Sequence, residues 1–153
     1  MVSTRRLKEV SLFKDFSQEE LEKVSSMMKE SFYPKGSVVW DEDSPEQGLQ
    51  VIDYGKVRVS RRTKEGNKQI LAVLKQNNFF GELSILDGRS HSASVEAVED
   101  TKVMILAKSD MDRLLAENPH AAYKIVREMT ITICEILREM NNKFIKVVDY
   151  IWE

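Results

Sequence analysis

The residue types that could do chemistry are concentrated in one segment, residues 79–95, which reads FFGELSILDGRSHSASV. A short helix that begins after Gly81 would point its free backbone N–H groups at an anion. Glu82 adds a carboxylate, which either accepts a hydrogen bond from a ligand or caps the same helix. His91 adds one of the two imidazoles in the chain. This segment therefore holds the glycine, the carboxylate and the imidazole that are the main candidates for ligand chemistry.

Other reactive side chains are scarce. The single cysteine, Cys134, excludes an internal disulfide and a cysteine-based zinc site, and its apolar neighbours predict a buried packing residue. The acidic run at 41–43 lacks the spacing of an EF-hand loop. A two-histidine metal or haem site stays open, although His120 next to Pro119 is typical of an exposed first helical turn. Because no Ser-His-Asp or Cys-His arrangement has a recognisable spacing, we expect no enzyme, no metal site and no cofactor.

Charge is balanced along the whole chain. Lysine and arginine number 23, aspartate and glutamate 25, and the net charge is −2. The absence of a strongly basic segment argues against a nucleic acid partner. No secretion signal and no apolar run of the ~18–20 residues needed to span a membrane occurs, so we expect a cytoplasmic protein without a membrane partner. One basic cluster is interpreted as a solvated hairpin, with a nucleic-acid patch as the alternative; it comprises Lys56, Arg58, Arg61, Arg62, Lys64 and Lys68.

Helical and strand-like periods divide the chain into three parts. Ser17 and Glu20 form a capping-box pattern that predicts a helix near the N terminus. Across residues 31–106, apolar residues alternate in short runs that turn signals separate, and all six glycines lie between Gly36 and Gly88. Many short strands at a spacing of roughly ten residues are typical of a sandwich or barrel.

A long helix is predicted at the C terminus. Asn118 and Pro119 form its cap and first residue, and no glycine or proline follows. A helix of about thirty residues spans ~45 Å, which is more than a domain of this size needs. We therefore predict two parts, a β-roll with an N-terminal helical segment at 1–117 and a helix at 118–153.

The predicted helix carries an apolar line that we expect to pair with a second copy as a homodimer. The alternative is a helix folded back entirely on its own domain. The predicted dimer interface comprises Val126, Met129, Ile133, Ile136, Met140 and Val147.

The segment 79–95 resembles the phosphate-binding cassette of the cyclic nucleotide-binding domain family. The residues that match the family pattern are Phe80, Gly81, Glu82, Leu83, Ser84, Ile85, Leu86, Ser92, Ala93, Ser94 and Val95. Further family landmarks occur at Leu12-Phe13, Phe16-Ser17, Glu20-Leu21, Tyr33–Gly36, Tyr54–Val57 and Val98–Thr101. The resemblance implies an antiparallel β-roll of jelly-roll type with N-terminal helices and a long C-terminal helix. It also implies a regulatory, non-catalytic role with cAMP or cGMP as the candidate ligand.

The resemblance implies that the amides of 81–84 bind phosphate and that Glu82 accepts a hydrogen bond from the ribose 2′-hydroxyl. The residue ten positions after the glycine, an arginine in the family, is His91 here. An imidazole with an unperturbed pKa near ~6.5 is mostly neutral at pH 7 and cannot make the bidentate bonds of a guanidinium. Arg89 is the alternative phosphate ligand. The candidate ligand-binding residues are thus Gly81, Glu82, Leu83, Ser84, Arg89, His91, Ser92 and Ala93.

Two further departures bear on function. Ile136 and Leu137 occupy the helical turn that contacts the purine in some family members, unless Thr130 or Thr132 serves instead. The chain ends at Glu153 without the helix-turn-helix of transcription-factor relatives, so we expect it to make no DNA contact. Two functions follow from these observations. One is a sensor that binds a cyclic nucleotide and relays the signal through the C-terminal helix. The other is a degenerate module that acts as a dimeric scaffold or binds an unidentified protein partner.

Overall fold

Eight antiparallel strands form two four-stranded sheets. The computed structural model describes residues 1–153. The strands are β1 (Lys29–Tyr33), β2 (Val38–Trp40), β3 (Leu49–Tyr54), β4 (Lys56–Arg62), β5 (Lys68–Lys75), β6 (Phe79–Phe80), β7 (Ser94–Ala97) and β8 (Thr101–Leu106). One sheet has the order β1-β8-β3-β6 and the other the order β2-β7-β4-β5.

Five helices flank the sheets. They are α1 (Thr4–Leu7), α2 (Gln18–Met27), α3 (Glu82–Asp87), α4 (Lys108–Glu117) and α5 (Pro119–Trp152), with a 3-10 turn at Ser11–Phe13. The predicted architecture, an antiparallel β-roll with N-terminal helices and a long C-terminal helix, is confirmed. None of these helices combines the length and the apolar character that crossing a bilayer requires.

Two separate apolar cores follow from the alternation of side chains along the strands. In β3, Leu49 and Val51 pack into a larger core with the helices, whereas Ile52 points to the other side of the sheet. The smaller core takes residues from both sheets, among them Val57 of β4 and Phe80 of β6. It therefore lies inside the roll, and the cassette segment begins at its edge.

The start of α2 confirms the predicted capping box. The Ser17 hydroxyl accepts a hydrogen bond from the Glu20 amide at 3.2 Å, and the Glu20 carboxylate accepts one from the Ser17 amide at 2.8 Å. Lys124 of α5 donates to the same carboxylate at 2.7 Å. Burial opposes ionisation of Glu20, but the bonds from Lys124 and the Ser17 amide outweigh it, so the pKa of Glu20 is lowered. This contact ties the first half of α5 to the N-terminal helices.

The helix α5 has a buried half and an exposed half. Asn118 caps it by accepting a hydrogen bond from the Ala121 amide at 3.1 Å. Ile125 and Met129 are fully buried in the larger core, but from Cys134 onward almost every residue is exposed. The prediction that Cys134 is a buried packing residue is therefore wrong. Its apolar neighbours lie where α5 begins to extend beyond the β-roll.

Two glycines with positive φ lie in turns of the β-roll and differ in the space around them. Gly55 (φ +93°) sits where an added Cβ would lie 2.6 Å from Cα of Thr101, whereas Gly66 (φ +84°) has open space around it. Gly66→Ala should cost only the left-handed backbone penalty, ~1–2 kcal/mol of the free energy of unfolding. Gly55→Ala should cost a further ~1–3 kcal/mol from overpacking. Urea unfolding of both variants measures the difference, and equal losses would contradict this account.

Candidate functional site

The cassette lies between β6 and β7, where the chain leaves one sheet and enters the other. Gly81 ends β6 in a left-handed conformation (φ +88°) and forms the N-cap of α3, and Gly88 ends that helix in another (φ +72°). A Cβ on Gly81 would lie 2.5 Å from the carbonyl oxygen of Gly48. Both the backbone angle and the lack of space therefore require glycine at this position.

The first turn of α3 presents the predicted anion-binding backbone. Its first hydrogen bond runs from the Ile85 amide to the Gly81 carbonyl at 3.2 Å, so the amides of Glu82, Leu83 and Ser84 precede the helical ladder. Burial raises the pKa of Glu82, against a smaller opposing effect of its own backbone amide. A half-buried carboxylate without a cationic partner is thus held at the start of the cassette.

His91 is turned into the protein. It is only 2% exposed, and its Nδ1 lies 3.2 Å from the hydroxyl oxygen of Ser84, which is buried as well. Its Nε2 is buried without a hydrogen-bond partner. Burial lowers the pKa of His91, so the imidazole is neutral at pH 7. The residue that replaces the family's phosphate arginine is therefore an uncharged part of the core.

Trp40, at the end of β2, closes the inner side of the cassette. Its ring stacks on His91 with a centroid distance of 3.7 Å and an interplanar angle of 2°. Its Nε1 donates to the carbonyl oxygen of Ala93 at 3.1 Å, and its ring centroid lies 5.2 Å from that of Phe80. In the sequence, Trp40 has only the signature of a strand residue, because its contacts join segments that are forty or more residues apart.

The remaining candidate ligand residues lie on the outer side. Leu83 is 47% exposed, Ser92 and Arg89 are exposed, and Ala93 is half-buried. The Arg89 amide donates to the Asp87 carboxylate at 2.9 Å, and its guanidinium makes no ion pair within the chain. The structure thus brings Gly81, Glu82 and Ser84 together with His91 but leaves Arg89 outside that cluster.

The loop before β3 is bound to the cassette through its backbone. The Asp43 amide donates to the His91 carbonyl at 2.7 Å, and the His91 amide donates to the Ser44 carbonyl at 2.9 Å. Asp43 adopts a positive φ of 66° to make this connection. The acidic run at 41–43 therefore follows β2 directly alongside the cassette, and its Glu42 carboxylate accepts a hydrogen bond from the Arg62 amide at 2.9 Å and pairs with Arg61 at 3.8 Å.

The residues predicted for the dimer interface on α5 differ in their exposure to solvent. Met129 is fully buried in the core of its own chain and cannot contact a second copy, so its assignment to the interface is corrected. Val126 packs against the same core. Ile133 is half-buried, whereas three members of the predicted line, Ile136, Met140 and Val147, are 46%, 60% and 55% exposed.

The basic hairpin is largely neutralised by carboxylates. Glu96 of β7 accepts hydrogen bonds from Lys68 and Arg58, each at 3.0 Å. The bond from Lys68, only partly opposed by burial, lowers the pKa of Glu96, with smaller contributions from Arg58. The interpretation as a solvated hairpin accounts for these basic side chains without a ligand.

No group of three or more His, Cys, Asp or Glu side chains is arranged to hold a metal ion.

Burial of His91 generates a prediction for stability against pH. The unfolded imidazole titrates near ~6.5 and the folded one lower, so below that pH the unfolded state binds more protons. The free energy of unfolding should be at its full value above about pH 6.5 and fall as the pH drops toward the folded pKa. Urea unfolding between pH 5 and 7.5 measures this slope. His91→Gln should flatten it, and identical slopes for both proteins would contradict the buried neutral imidazole.

Comparisons with known proteins agree with this geometry. The family model of the cyclic nucleotide-binding domain matches residues 30–118. The cyclic AMP receptor protein of Thermus thermophilus is 33% identical over 114 residues, which cover 74% of this chain and 53% of that protein. The cAMP-dependent protein kinase regulatory subunit of Pyricularia oryzae is 31% identical over 109 residues, 71% of this chain and 27% of that protein. The chain thus spans about half, or less, of these relatives.

Solved structures of related proteins superimpose closely on this chain. The catabolite activator protein of Thermus thermophilus superimposes with a TM-score of 0.78 at 30% identity, covering 90% of this chain and 63% of that one. A cyclic nucleotide-binding domain from Methylobacillus flagellatus superimposes with a TM-score of 0.82 at 26% identity, covering 94% and 80%. The curated relatives named above are a receptor and a kinase regulatory subunit, both regulatory proteins. This chain belongs to the cyclic nucleotide-binding domain family.

Proposed function

We propose that this chain is a non-catalytic regulatory module that does not hold a cyclic nucleotide tightly and acts as a dimeric scaffold through α5. The observation that carries the first part is the position of His91. The side chain at the place of the family's phosphate arginine is neutral, stacked on Trp40 and 2% exposed. A phosphate at the cassette would therefore lack its cationic partner.

The size of this loss follows from the energy of one charged hydrogen-bonding partner. Removing such a partner typically costs ~1.5–3 kcal/mol, which is about a ten- to 150-fold loss of affinity. Arg89 is the nearest cation along the chain, but its exposed side chain lies outside the cluster that holds His91.

A specific observation favours the alternative, a cyclic nucleotide sensor. The left-handed Gly81, the free amides of the first turn of α3 and the unpaired Glu82 carboxylate are all retained. The relatives named as a cyclic AMP receptor and as cAMP-dependent regulatory subunits make cAMP the first ligand to test, with cGMP as the second.

Calorimetric titration with cAMP and cGMP at pH 7.5 separates the two functions. The wild type should show no saturable heat up to millimolar nucleotide. His91→Arg should gain about ten- to 150-fold in affinity because it restores one charged partner. His91→Gln, which removes the imidazole without adding charge, is the matched control and should gain nothing. Micromolar binding by the wild type would overturn the proposal in favour of the sensor.

The dimeric part of the proposal rests on the exposed half of α5. Met140, Phe144 and Ile151 are 60%, 66% and 67% exposed and follow one another at helical spacing together with Ile136 and Val147. An apolar line of this length in water favours association with another apolar surface. A second copy presents the same line, and two such helices side by side bury both lines at once. The same exposed half could also present the module to a protein partner.

Light scattering at several concentrations tests the dimer. The wild type should have about twice the mass of one chain. Met140→Asp places a charge in the line and should shift the mass toward the monomer, since an unpaired charge is costly to bury. Asn142→Asp adds the same charge elsewhere on the exposed half and should leave the dimer intact. A wild-type monomer at high concentration, or equal effects of the two variants, would refute this interface.

A further inference from the structure

We propose that Trp40 is a second determinant of ligand access in the cassette, and that its indole must leave its present position before a cyclic nucleotide can be held. The inference rests on the proposed function, because it explains why a cassette with most of its family residues would reject its ligand. The two arguments have different causes. The argument from Trp40 concerns the shape of the site, whereas the argument from His91 concerns its charge.

The indole touches the cassette at its start, its middle and its end. At the start, a methyl group on Gly81 would lie 3.1 Å from Cη2 of Trp40. In the middle, the ring stacks on His91 at 3.7 Å. At the end, Nε1 donates to the Ala93 carbonyl at 3.1 Å. One side chain therefore spans the inner side of the segment that would hold the phosphate and ribose.

These contacts leave no layer of space between the indole and the cassette. Two groups in van der Waals contact are separated by about 3.5–4 Å, which is the separation between the indole and the imidazole. A phosphate that contacts both the Gly81 turn and residue 91 from this inner side meets the indole, which lies against both. The steric block is thus internal to the cassette and independent of the charge on residue 91.

The indole is also held firmly where it is. Trp40 is 5% exposed and belongs to the core inside the roll, next to Phe80. Its backbone pairs with Val95 of β7, with an irregular register between Val38 and Trp40. Because its hydrogen bond to Ala93 satisfies the only polar atom of the side chain, turning the indole outward loses that bond, the stack and the apolar packing together. An arginine at position 91 alone does not remove this obstacle.

Four proteins in one calorimetric series test the inference at pH 7.5 with cAMP. They are the wild type, His91→Arg, Trp40→Leu and the double variant Trp40→Leu/His91→Arg. Trp40→Leu alone should still bind no better than the wild type, since the cationic partner is absent. The double variant should bind at least about tenfold tighter than His91→Arg, because the smaller apolar side chain opens space beside the restored charge. Equal affinities of the double variant and His91→Arg would overturn the role of Trp40.

The two proposals fail in different ways in this series. Tight binding by the wild type overturns the proposed function, whereas the comparison between the double variant and His91→Arg still reports on Trp40 alone. Trp40→Phe/His91→Arg is the matched control, because it keeps an aromatic ring over residue 91 and should bind no more than a fewfold tighter than His91→Arg. Far-ultraviolet circular dichroism of all variants verifies that the roll is folded.

Tryptophan fluorescence gives a second measurement that does not depend on Trp40→Leu folding. The chain has two tryptophans, and Trp152 is 84% exposed at the end of α5, so Trp152→Phe leaves Trp40 as the single reporter. In Trp152→Phe/His91→Arg, saturating cAMP should shift the emission of Trp40 to longer wavelength as the indole leaves its stack for a wetter position. Saturation without any change in emission would show that the indole stays in place, which contradicts the inference.

Discussion

The contact on which the cassette depends is the parallel stack of Trp40 on His91. It joins β2 to the turn after α3, and the same indole donates a hydrogen bond to Ala93, the residue directly before β7. A neutral imidazole can lie against an indole inside an apolar core, whereas a guanidinium in that place would bring an unpaired charge out of water. The histidine and the tryptophan therefore form one closely packed arrangement inside the roll.

The backbone of the cassette is held by packing that needs no ligand. The left-handed turn at Gly81 fits against the Gly48 carbonyl, and Ile85 and Val95 are buried in the two cores. Several residues that match the family pattern thus have a structural reason to be present in this chain. A match to a binding motif reports the fold of the segment first, and its ability to bind depends on the few side chains that face the ligand.

Much of the fold could be predicted from local signals. The capping box at Ser17 and the cap at Asn118 are short-range patterns, and both form as the sequence indicates. The direction of His91 and the contacts of Trp40 could not be predicted, because they are set by residues from β2, α3 and β7 that meet only in the folded chain. The same limit explains the errors at Cys134 and Met129, since helical periodicity cannot tell where α5 leaves its own core.

The position of α3 relates the cassette to α5. Phe80, just before α3, packs in the core inside the roll with Trp40, whereas Ile85 within α3 packs in the larger core that contains Ile125 and Met129 of α5. Because protein interiors are densely packed, a change in the position of α3 must be accommodated by both cores. Lys124 holds the first half of α5 against the capping box of α2. Packing therefore connects the Trp40–His91 stack, through α3 and the two cores, to the buried half of α5, whereas the exposed half lies beyond this packing.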